Sequence, residues 1–234
     1  PDITGGVPDA IEPPAKARFM AAYLMRRSCG VDLFDANVSD ETPQEMAEQV
    51  RTADPYLVVM PVYGYNPSAS TQTMVPARAL AEAIKGLAPC LPIFMTGTDA
   101  AAIPETTLRI EPAVDYVCAG EGPITVHELL SVIKTGEYLR DVRKVRSLWW
   151  RENGGIAHSA PAPLLDLNQE PALPGWKYMD PRKYRPHHWH RFYQVLDPSG
   201  GFLKEPYANP YSVEGCPFHC DFCNIQAPYR EGEA

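Results

Sequence analysis

Three cysteines lie close together near the end of the sequence. Cys216, Cys220 and Cys223 form a C-x3-C-x2-C pattern within "EGCPFHCDFC", and they make up half of the 6 cysteines in the chain. Thiolates are soft ligands that select iron–sulfur clusters, zinc or cuprous ions. Three thiolates on one short loop can bind three irons of a four-iron cluster and leave the fourth iron open to a small molecule. The spacing therefore indicates a metal centre with one open position.

A zinc site is the main alternative for this loop. His219, or a member of the group His187, His188 and His190, could supply a fourth ligand. Structural zinc sites usually pair two C-x2-C-like knuckles, however, and the loop has one such pair. A disulfide is disfavoured if the protein is cytoplasmic, because thiols stay reduced there.

Composition limits the classes of partner. The chain has 234 residues, 45% of them apolar, which is ordinary for a globular protein with one large domain or two small ones. Its formal charge of -8 argues against nucleic acid as a partner, because nucleic-acid binders usually present a basic face. No apolar run approaches the ~20 residues that cross a bilayer, and no secretion signal is recognisable. We expect a cytoplasmic protein without a membrane partner.

Strand-like and helical patterns alternate along the first part of the chain. Continuous apolar runs predict buried strands, and 3.6-residue periodicity predicts the helices between them. The predicted strands are 31–36, 56–62, 91–98 and 114–122, and the predicted helices are 15–29, 42–53, one around 74–84, 104–110 and 125–136. Strands joined by such helices form an open parallel sheet. The pattern predicts an α/β, flavodoxin-like (Rossmann-like) sheet with flanking helices.

A flavodoxin-like sheet needs a fifth strand before the helix at 15–29. The opening "PDITGGVPDAIEPP" is typical of the loop that follows such a strand, so we expect the first strand to be missing from this chain. Without that strand, residues 31–36 would lose their central neighbour in a 2-1-3-4-5 sheet, and we expect the isolated chain to be marginally stable.

The remainder of the chain does not continue the alternation of strand-like and helical patterns. "SLWWRENGGIAHS" (147–159) predicts a hairpin around Asn153-Gly154-Gly155, and residues 160–210 are rich in Pro, Tyr and Trp. A strand at 210–215 is predicted to deliver the cysteine loop. The resulting domain prediction is 1–140 for the α/β domain, 141–208 for the hairpin and linker, and 209–234 for a third unit.

The cysteine loop, with Phe222 directly before the last cysteine, resembles the signature loop of radical S-adenosylmethionine enzymes. The resemblance implies a [4Fe-4S] cluster on Cys216, Cys220 and Cys223, with S-adenosylmethionine on the open iron and Phe222 near its adenine. It implies that residues 209–234 begin a partial (β/α) barrel. It also implies reductive cleavage of S-adenosylmethionine to a 5′-deoxyadenosyl radical, which takes hydrogen from a small-molecule substrate, and an electron donor such as flavodoxin or ferredoxin.

Residues 15–136 resemble the cobalamin-binding domain that precedes the barrel in one large group of these enzymes. "VDYVCAGEGPITVHELL" carries the strongest likeness, whereas Thr96-Gly97-Thr98 replaces the Gly-Gly turn of the family. Ligands of open α/β sheets bind beyond the carboxyl ends of the strands. The predicted cobalamin contacts at these ends are Tyr63, Gly64, Thr96, Gly97, Thr98, Gly120, Glu121 and Gly122. Because no histidine precedes His127, we expect cobalamin to bind base-off without a histidine ligand from the first βα loop.

Other interpretations remain open from the residues alone. Cys29, Cys90 and Cys118 raise the possibility of a methylthiotransferase, whose N-terminal domain carries a second cluster, but isolated cysteines of this kind are typical of structural positions. A corrinoid- or zinc-binding module without radical chemistry is a further alternative. The resemblance leaves methyl transfer, radical rearrangement and cyclisation open and does not identify the substrate. With eleven residues after Cys223, this chain alone is expected to be incomplete for catalysis.

Overall fold

A computed structural model of the chain describes residues 12–64, 70–135, 142–170, 180–184, 214–218, 220–223 and 225–229. Within these ranges, helices separate the three parallel strands, as the sequence predicts. The helices are α1 (Ala15–Arg26), α2 (Pro43–Ala53), α3 (Ser70–Leu87), α4 (Thr98–Ala102), α5 (Pro104–Ile110) and α6 (Pro123–Thr135). The strands are β1 (Val58–Pro61), β2 (Ile93–Thr96), β3 (Tyr116–Cys118), β4 (Leu148–Glu152) and β5 (Gly155–His158).

The sheet has the order β1-β2-β3-β4-β5, and its first three strands are parallel. Val59 pairs with Phe94, and Phe94 pairs with Tyr116. Side chains alternate between the two faces of a strand, so Phe94 belongs to one hydrophobic core and Met95 to the other. The predicted α/β class, with a parallel sheet between helical layers, is confirmed.

The hairpin predicted at 147–159 is confirmed, and it extends the sheet. β4 pairs antiparallel with β3, for example Trp150 with Tyr116, and β5 pairs antiparallel with β4. Asn153 and Gly154 have φ of 50° and 78°, the positive values that a two-residue hairpin turn requires. The sequence did not predict that the hairpin joins the parallel strands, because alternation within a hairpin does not identify its neighbour.

The prediction of a strand at residues 31–36 is wrong. These residues alternate between half-buried and exposed, as an edge strand would, but they form no ladder with any other part of the described chain. Extended backbone is assigned to a sheet only when its N–H and C=O groups pair with a neighbouring strand. In the predicted strand order this segment would pair with the first strand alone. Of the strand predicted at 210–215, residues 210–213 lie outside the described residues, and 214 and 215 are not in a strand.

Several predicted boundaries also move, and β3 ends at Cys118 rather than at residue 122. α1 ends at Arg26 rather than near residue 29, because Ser28 adopts a left-handed φ of 59° and Cys29 N–H closes back on Leu24 O, 3.1 Å away. β2 ends at Thr96, and α4 begins at Thr98, within the range predicted as strand. None of the described helices is long and apolar enough to span a membrane.

Candidate functional site

The loops that follow the three parallel strands meet at one edge of the sheet. Tyr63 and Gly64 follow β1, Thr96-Gly97-Thr98 closes β2, and Gly120-Glu121-Gly122 follows β3. Because the strands are parallel and adjacent, their carboxyl ends lie side by side, and we call this edge the carboxyl edge. All eight residues predicted from the sequence to contact cobalamin lie there. Their role in binding stays a prediction.

The hydroxyl of Thr96 is a buried polar group at this edge without a hydrogen-bond partner among the described residues. It lies near the Tyr63 hydroxyl and the Cys118 thiol, but neither forms a hydrogen bond of normal geometry with it. An unsatisfied buried hydroxyl costs about 1–3 kcal/mol. Cobalamin carries amide and phosphate groups that could satisfy it, so the donor set at this edge fits such a ligand. Burial also raises the pKa of the Tyr63 phenol far above its ordinary value, which keeps it a neutral donor.

The glycines of the edge have reasons within the protein itself. Gly97 has φ of 149°, and a Cβ there would lie 1.9 Å from Val62 O. Gly122 has φ of 102°, and its Cβ would lie 2.7 Å from the Met20 side chain of α1. These glycines let backbone and helix pack closely around the edge. Internal packing and the positive φ values therefore favour glycine at both positions whether or not a ligand is bound.

Glu121 joins this edge to the linker after the hairpin. Its carboxylate accepts a hydrogen bond of 2.7 Å from Leu165 N–H, and burial raises its pKa above the usual range. A small, partly open cleft runs beside this contact. It is lined by 119–125, Ser147, 162–165 and Pro228. The segment 120–125, which carries three of the predicted cobalamin contacts, forms one wall of the cleft.

The cysteine loop presents its thiols near the surface. Cys216 and Cys223 are half-buried, Cys220 is exposed, and none of the three forms a disulfide. The loop is held by a hydrogen bond of 3.0 Å from Cys223 N–H to Cys220 O, and Gln226 Nε2 donates to Cys216 O at 3.1 Å. The Phe222 side chain, predicted near adenine, is 86% exposed.

The three thiols do not converge on a point. Among the described residues, no three His, Cys, Asp or Glu side chains are grouped closely enough to hold a single metal ion. In a four-iron cluster each thiolate binds a different iron, so its ligands need not converge as zinc ligands must. His187, His188, His190 and His219, the zinc ligands considered from the sequence, lie outside the described residues.

The segment after the cysteine loop packs onto the carboxyl edge. A 3-10 turn at Ala227–Tyr229 contacts α4, the helix that begins directly after Gly97. Pro228 and Tyr229 are buried, and Pro228 also borders the cleft beside Glu121. The structure thus brings the cysteine loop and the predicted cobalamin contacts to the same side of the sheet.

The other three cysteines do not form a second metal group among the described residues. Cys118 is buried, and burial raises its pKa to about 11, so it remains a protonated thiol that Gly120 N–H approaches at 3.3 Å. Cys29 is half-buried and Cys90 is exposed, so of these three cysteines Cys118 alone is buried.

Lys16, at the start of α1, is a residue of this region that the sequence pattern did not predict. Its Nζ donates hydrogen bonds to Glu214 and, at 2.6 Å, to the Tyr229 hydroxyl. Lys16 and Glu214 are 198 positions apart, and no local pattern links residues at that separation.

Comparisons with known proteins agree with this geometry. The family model described as B12 binding domain matches residues 2–130. The chain is 26% identical over 212 residues to the uncharacterized methyltransferase PH0819 of Pyrococcus horikoshii, covering 91% of this chain and 40% of that protein. It is 27% identical over 224 residues to the anaerobic magnesium-protoporphyrin IX monomethyl ester cyclase of Synechocystis, covering 95% of this chain and 40% of that protein. The chain therefore spans about 40% of the length of these curated relatives.

Two solved structures share the fold. The radical S-adenosylmethionine methyltransferase TsrM from Kitasatospora setae superimposes with a TM-score of 0.55 at 18% identity, over 67% of this chain and 28% of TsrM. The cobalamin-dependent S-adenosylmethionine radical enzyme OxsB gives 0.54 at 16% identity, over 69% of this chain and 21% of OxsB. The family resemblance predicted from the sequence is confirmed. Because the family model covers more than half of the sequence, the chain belongs to the B12-binding domain family.

Proposed function

We propose that this chain is the cobalamin-binding part and cluster loop of a cobalamin-dependent radical S-adenosylmethionine enzyme. The observation that carries the proposal is the position of the segment after the cysteines. Ala227–Tyr229 packs on α4, next to the Thr96-Gly97-Thr98 turn at the carboxyl edge. The B12-binding domain would supply the cobalamin site, and the cysteine loop would supply ligands for the iron–sulfur cluster. This chain therefore combines two parts that the proposed chemistry requires. The methyltransferase and cyclase relatives support an enzymatic role.

Each part of the proposed site has a role set by its chemistry. Cys216, Cys220 and Cys223 would hold a [4Fe-4S] cluster as thiolates, and Phe222 offers an exposed aromatic face to adenine. The carboxyl edge would hold cobalamin through its buried hydroxyls and backbone groups. When bound, the cluster supplies the electron for reductive cleavage of S-adenosylmethionine, and cobalamin supplies a group carrier for methyl transfer or for a radical rearrangement or cyclisation.

The chain's own residues orient these groups and limit the access of water. Pro228 and Tyr229 close over α4, and Met20 of α1 packs against Gly122 at the same edge. Neutral Tyr63 and the Thr96 hydroxyl provide hydrogen-bonding groups that need no change of charge. A cofactor held there is oriented by fixed backbone and buried side chains.

The proposed partners follow from the same chemistry. The reaction needs an electron donor such as flavodoxin or ferredoxin and a small-molecule substrate. The formal charge of -8 disfavours nucleic acid as that substrate. A cytoplasmic, reducing location without a membrane partner would keep the three thiols available for iron.

Anaerobic reconstitution with iron, sulfide and hydroxocobalamin tests this proposal against its main alternative. We expect about four irons per chain, one corrinoid, and reductive cleavage of S-adenosylmethionine by the full-length protein when a low-potential reductant is added. Stoichiometric zinc that iron does not displace would favour a zinc-binding module. Corrinoid binding without any iron–sulfur absorption would favour a corrinoid carrier.

A further inference from the structure

One lysine contacts both sides of the cysteine loop. Lys16 Nζ donates to the Glu214 carboxylate, two residues before Cys216, and to the hydroxyl of Tyr229, six residues after Cys223. The Tyr229 hydroxyl also donates to Glu214 Oε2 at 2.6 Å, so the three side chains close a ring of hydrogen bonds. A single ammonium group thus ties together the beginning and the end of the loop.

This ring is shielded from water and lies against the carboxyl edge. The side chains of Lys16 and Glu214 are 23% and 18% exposed. Lys16 Nζ is 5.9 Å from the centre of the Tyr63 ring, and it is attracted to Glu121, whose charge opposes the effect of burial on the lysine pKa. Tyr63 and Glu121 both belong to the predicted cobalamin contacts. Lys16 therefore connects the loop to the ends of β1 and β3.

The shielding of the Lys16–Glu214 pair from water favours a specific, stabilising contact over an incidental surface ion pair. Exposed ion pairs contribute little to stability, whereas removing one partner from a shielded pair leaves an uncompensated charge and costs considerably more free energy. Glu214 has few alternatives, since Tyr229 is the other side chain described as donating to it. Loss of the lysine would therefore release both ends of the loop together.

We propose that Lys16 is a positioning residue that fixes the cysteine loop over the carboxyl edge of the sheet. Its consequence for the reaction rests on the proposed function, because the lysine would then set the distance and orientation between the cluster and cobalamin. The anchoring itself does not depend on any cofactor, so it can be tested with and without them.

Hydrogen–deuterium exchange of the full-length protein without metal tests the anchoring. The probes are the hydrogen-bonded amides of Cys223 and Tyr229. In Lys16→Met, we expect these amides to exchange roughly tenfold faster or more, while the amides of β2 and β3 keep their protection. Glu214→Gln, which alters the ring from its other side, should give the same local pattern. Lys16→Arg keeps the charge and should restore most of the protection.

Lys85→Met is the matched control. Lys85 is a similarly shielded lysine, 19% exposed, that pairs with Asp115 at 2.7 Å on the opposite end of the sheet. This variant should leave the exchange of Cys223 and Tyr229 unchanged. Unchanged exchange at these two amides in both Lys16→Met and Glu214→Gln would overturn the proposal, as would equal loss of protection across β2 and β3.

The reconstituted protein provides a second readout. Iron and corrinoid contents should match the wild type in Lys16→Met, but magnetic relaxation between the reduced cluster and cob(II)alamin should change, because it depends steeply on their separation. Wild-type relaxation and rate of S-adenosylmethionine cleavage in a fully loaded variant would overturn the catalytic part. If no cluster assembles in the wild type, the proposed function fails, and the exchange experiment still decides the anchoring.

Discussion

Gly97 and Val62 approach so closely that no side chain fits between them. A Cβ on Gly97 would lie 1.9 Å from the Val62 carbonyl oxygen and 2.8 Å from its carbonyl carbon. Both residues follow the ends of neighbouring parallel strands, and Val62 N–H donates to Thr96 O at 2.7 Å. The glycine therefore allows β1 and β2 to stay paired up to the carboxyl edge while the chain turns into α4.

Gly97→Ala should destabilise the folded protein. The added methyl group meets backbone that cannot rotate away, and φ of 149° is unfavourable for alanine, so we expect a loss of about 2 kcal/mol or more in the free energy of unfolding. Urea denaturation measures this change. Gly86→Ala is the control, because Gly86 lies in α3 with open space around it, and alanine there should be neutral or stabilising by up to about 1 kcal/mol. Equal stability of the two variants would contradict this account.

Thr96→Val should separate ligand binding from stability. The substitution removes a buried hydroxyl that has no partner in the described structure, so the apoprotein should keep or gain stability, by about 1 kcal/mol. Corrinoid affinity should fall, because the ligand would lose a hydrogen-bonding group. Calorimetric titration with hydroxocobalamin measures this. In the control Thr107→Val, a buried hydroxyl that donates to Ile103 O at 3.1 Å is lost, so stability should fall while corrinoid affinity stays constant. Unchanged affinity in Thr96→Val would remove this hydroxyl from the site.

Replacing any of the three clustered cysteines by alanine should abolish the iron–sulfur absorption. Each thiolate is expected to bind a different iron, so the loss of one exposes a further corner and prevents stable assembly of about four irons. Iron analysis and visible spectra after anaerobic reconstitution measure the effect. Cys90→Ala is the control, since Cys90 is exposed and lies outside the loop. Full iron content in Cys220→Ala would refute the proposed ligand set.

Bound cobalamin should be base-off without a protein imidazole. The loops that follow β1, β2 and β3 at the carboxyl edge contain no histidine, and His127 lies within α6, where its ring packs edge-on against Tyr23 at 6.4 Å between centroids. The cob(II)alamin spectrum should therefore lack nitrogen superhyperfine splitting from an imidazole. Splitting that persists with unlabelled cobalamin and changes when the protein's histidines carry ¹⁵N would contradict this prediction.

The linker at Glu170 should loosen in acid. Hydrogen bonding to Arg27 holds the pKa of Glu170 below its ordinary value, and Arg27 Nη2 lies 2.6 Å from the carboxylate. A lowered folded pKa contributes stability above the unfolded value of about 4.3, and this contribution is lost as the pH falls through the folded pKa. The free energy of unfolding, measured from pH 6 to 3, should fall less steeply in Glu170→Gln. Identical slopes in wild type and Glu170→Gln would contradict the assignment.

Features that depend on adjacent residues could be predicted from the sequence, whereas features that depend on residues far apart in the chain could not. The apolar run around Val58–Pro61 and the turn at Asn153-Gly154 carry their structure in adjacent residues, so their element types were predictable. Residues 31–36 have a strand-like sequence but no pairing partner among the described residues, and pairing is not a local property. Because pairing is not a local property, the sequence also did not predict that β3 pairs with β4.

The candidate site shows the same difference between features set by local sequence and features set by distant contacts. Residues after Thr96 and Cys118 were predicted at the carboxyl edge because parallel strands end on one side of a sheet. The ring around Lys16 was missed because its members come from both ends of the chain. The conformational cause of Gly97 was also missed, since the sequence shows a glycine but not the carbonyl group facing it.

The contact between Lys16 and Glu214 has a kinetic consequence. It closes a loop of 198 residues, whereas the pairing of Val58 with Ile93 joins segments much nearer in sequence. Loop-closure entropy rises with length, so distant contacts tend to form after local ones. We expect the sheet to assemble first and the cysteine loop to dock last, an order that pulse-labelling of amides during refolding can follow. Local opening can cost less free energy than global unfolding, so the docked loop can open by itself. A large cofactor could then enter at the carboxyl edge while the sheet beneath it stays folded.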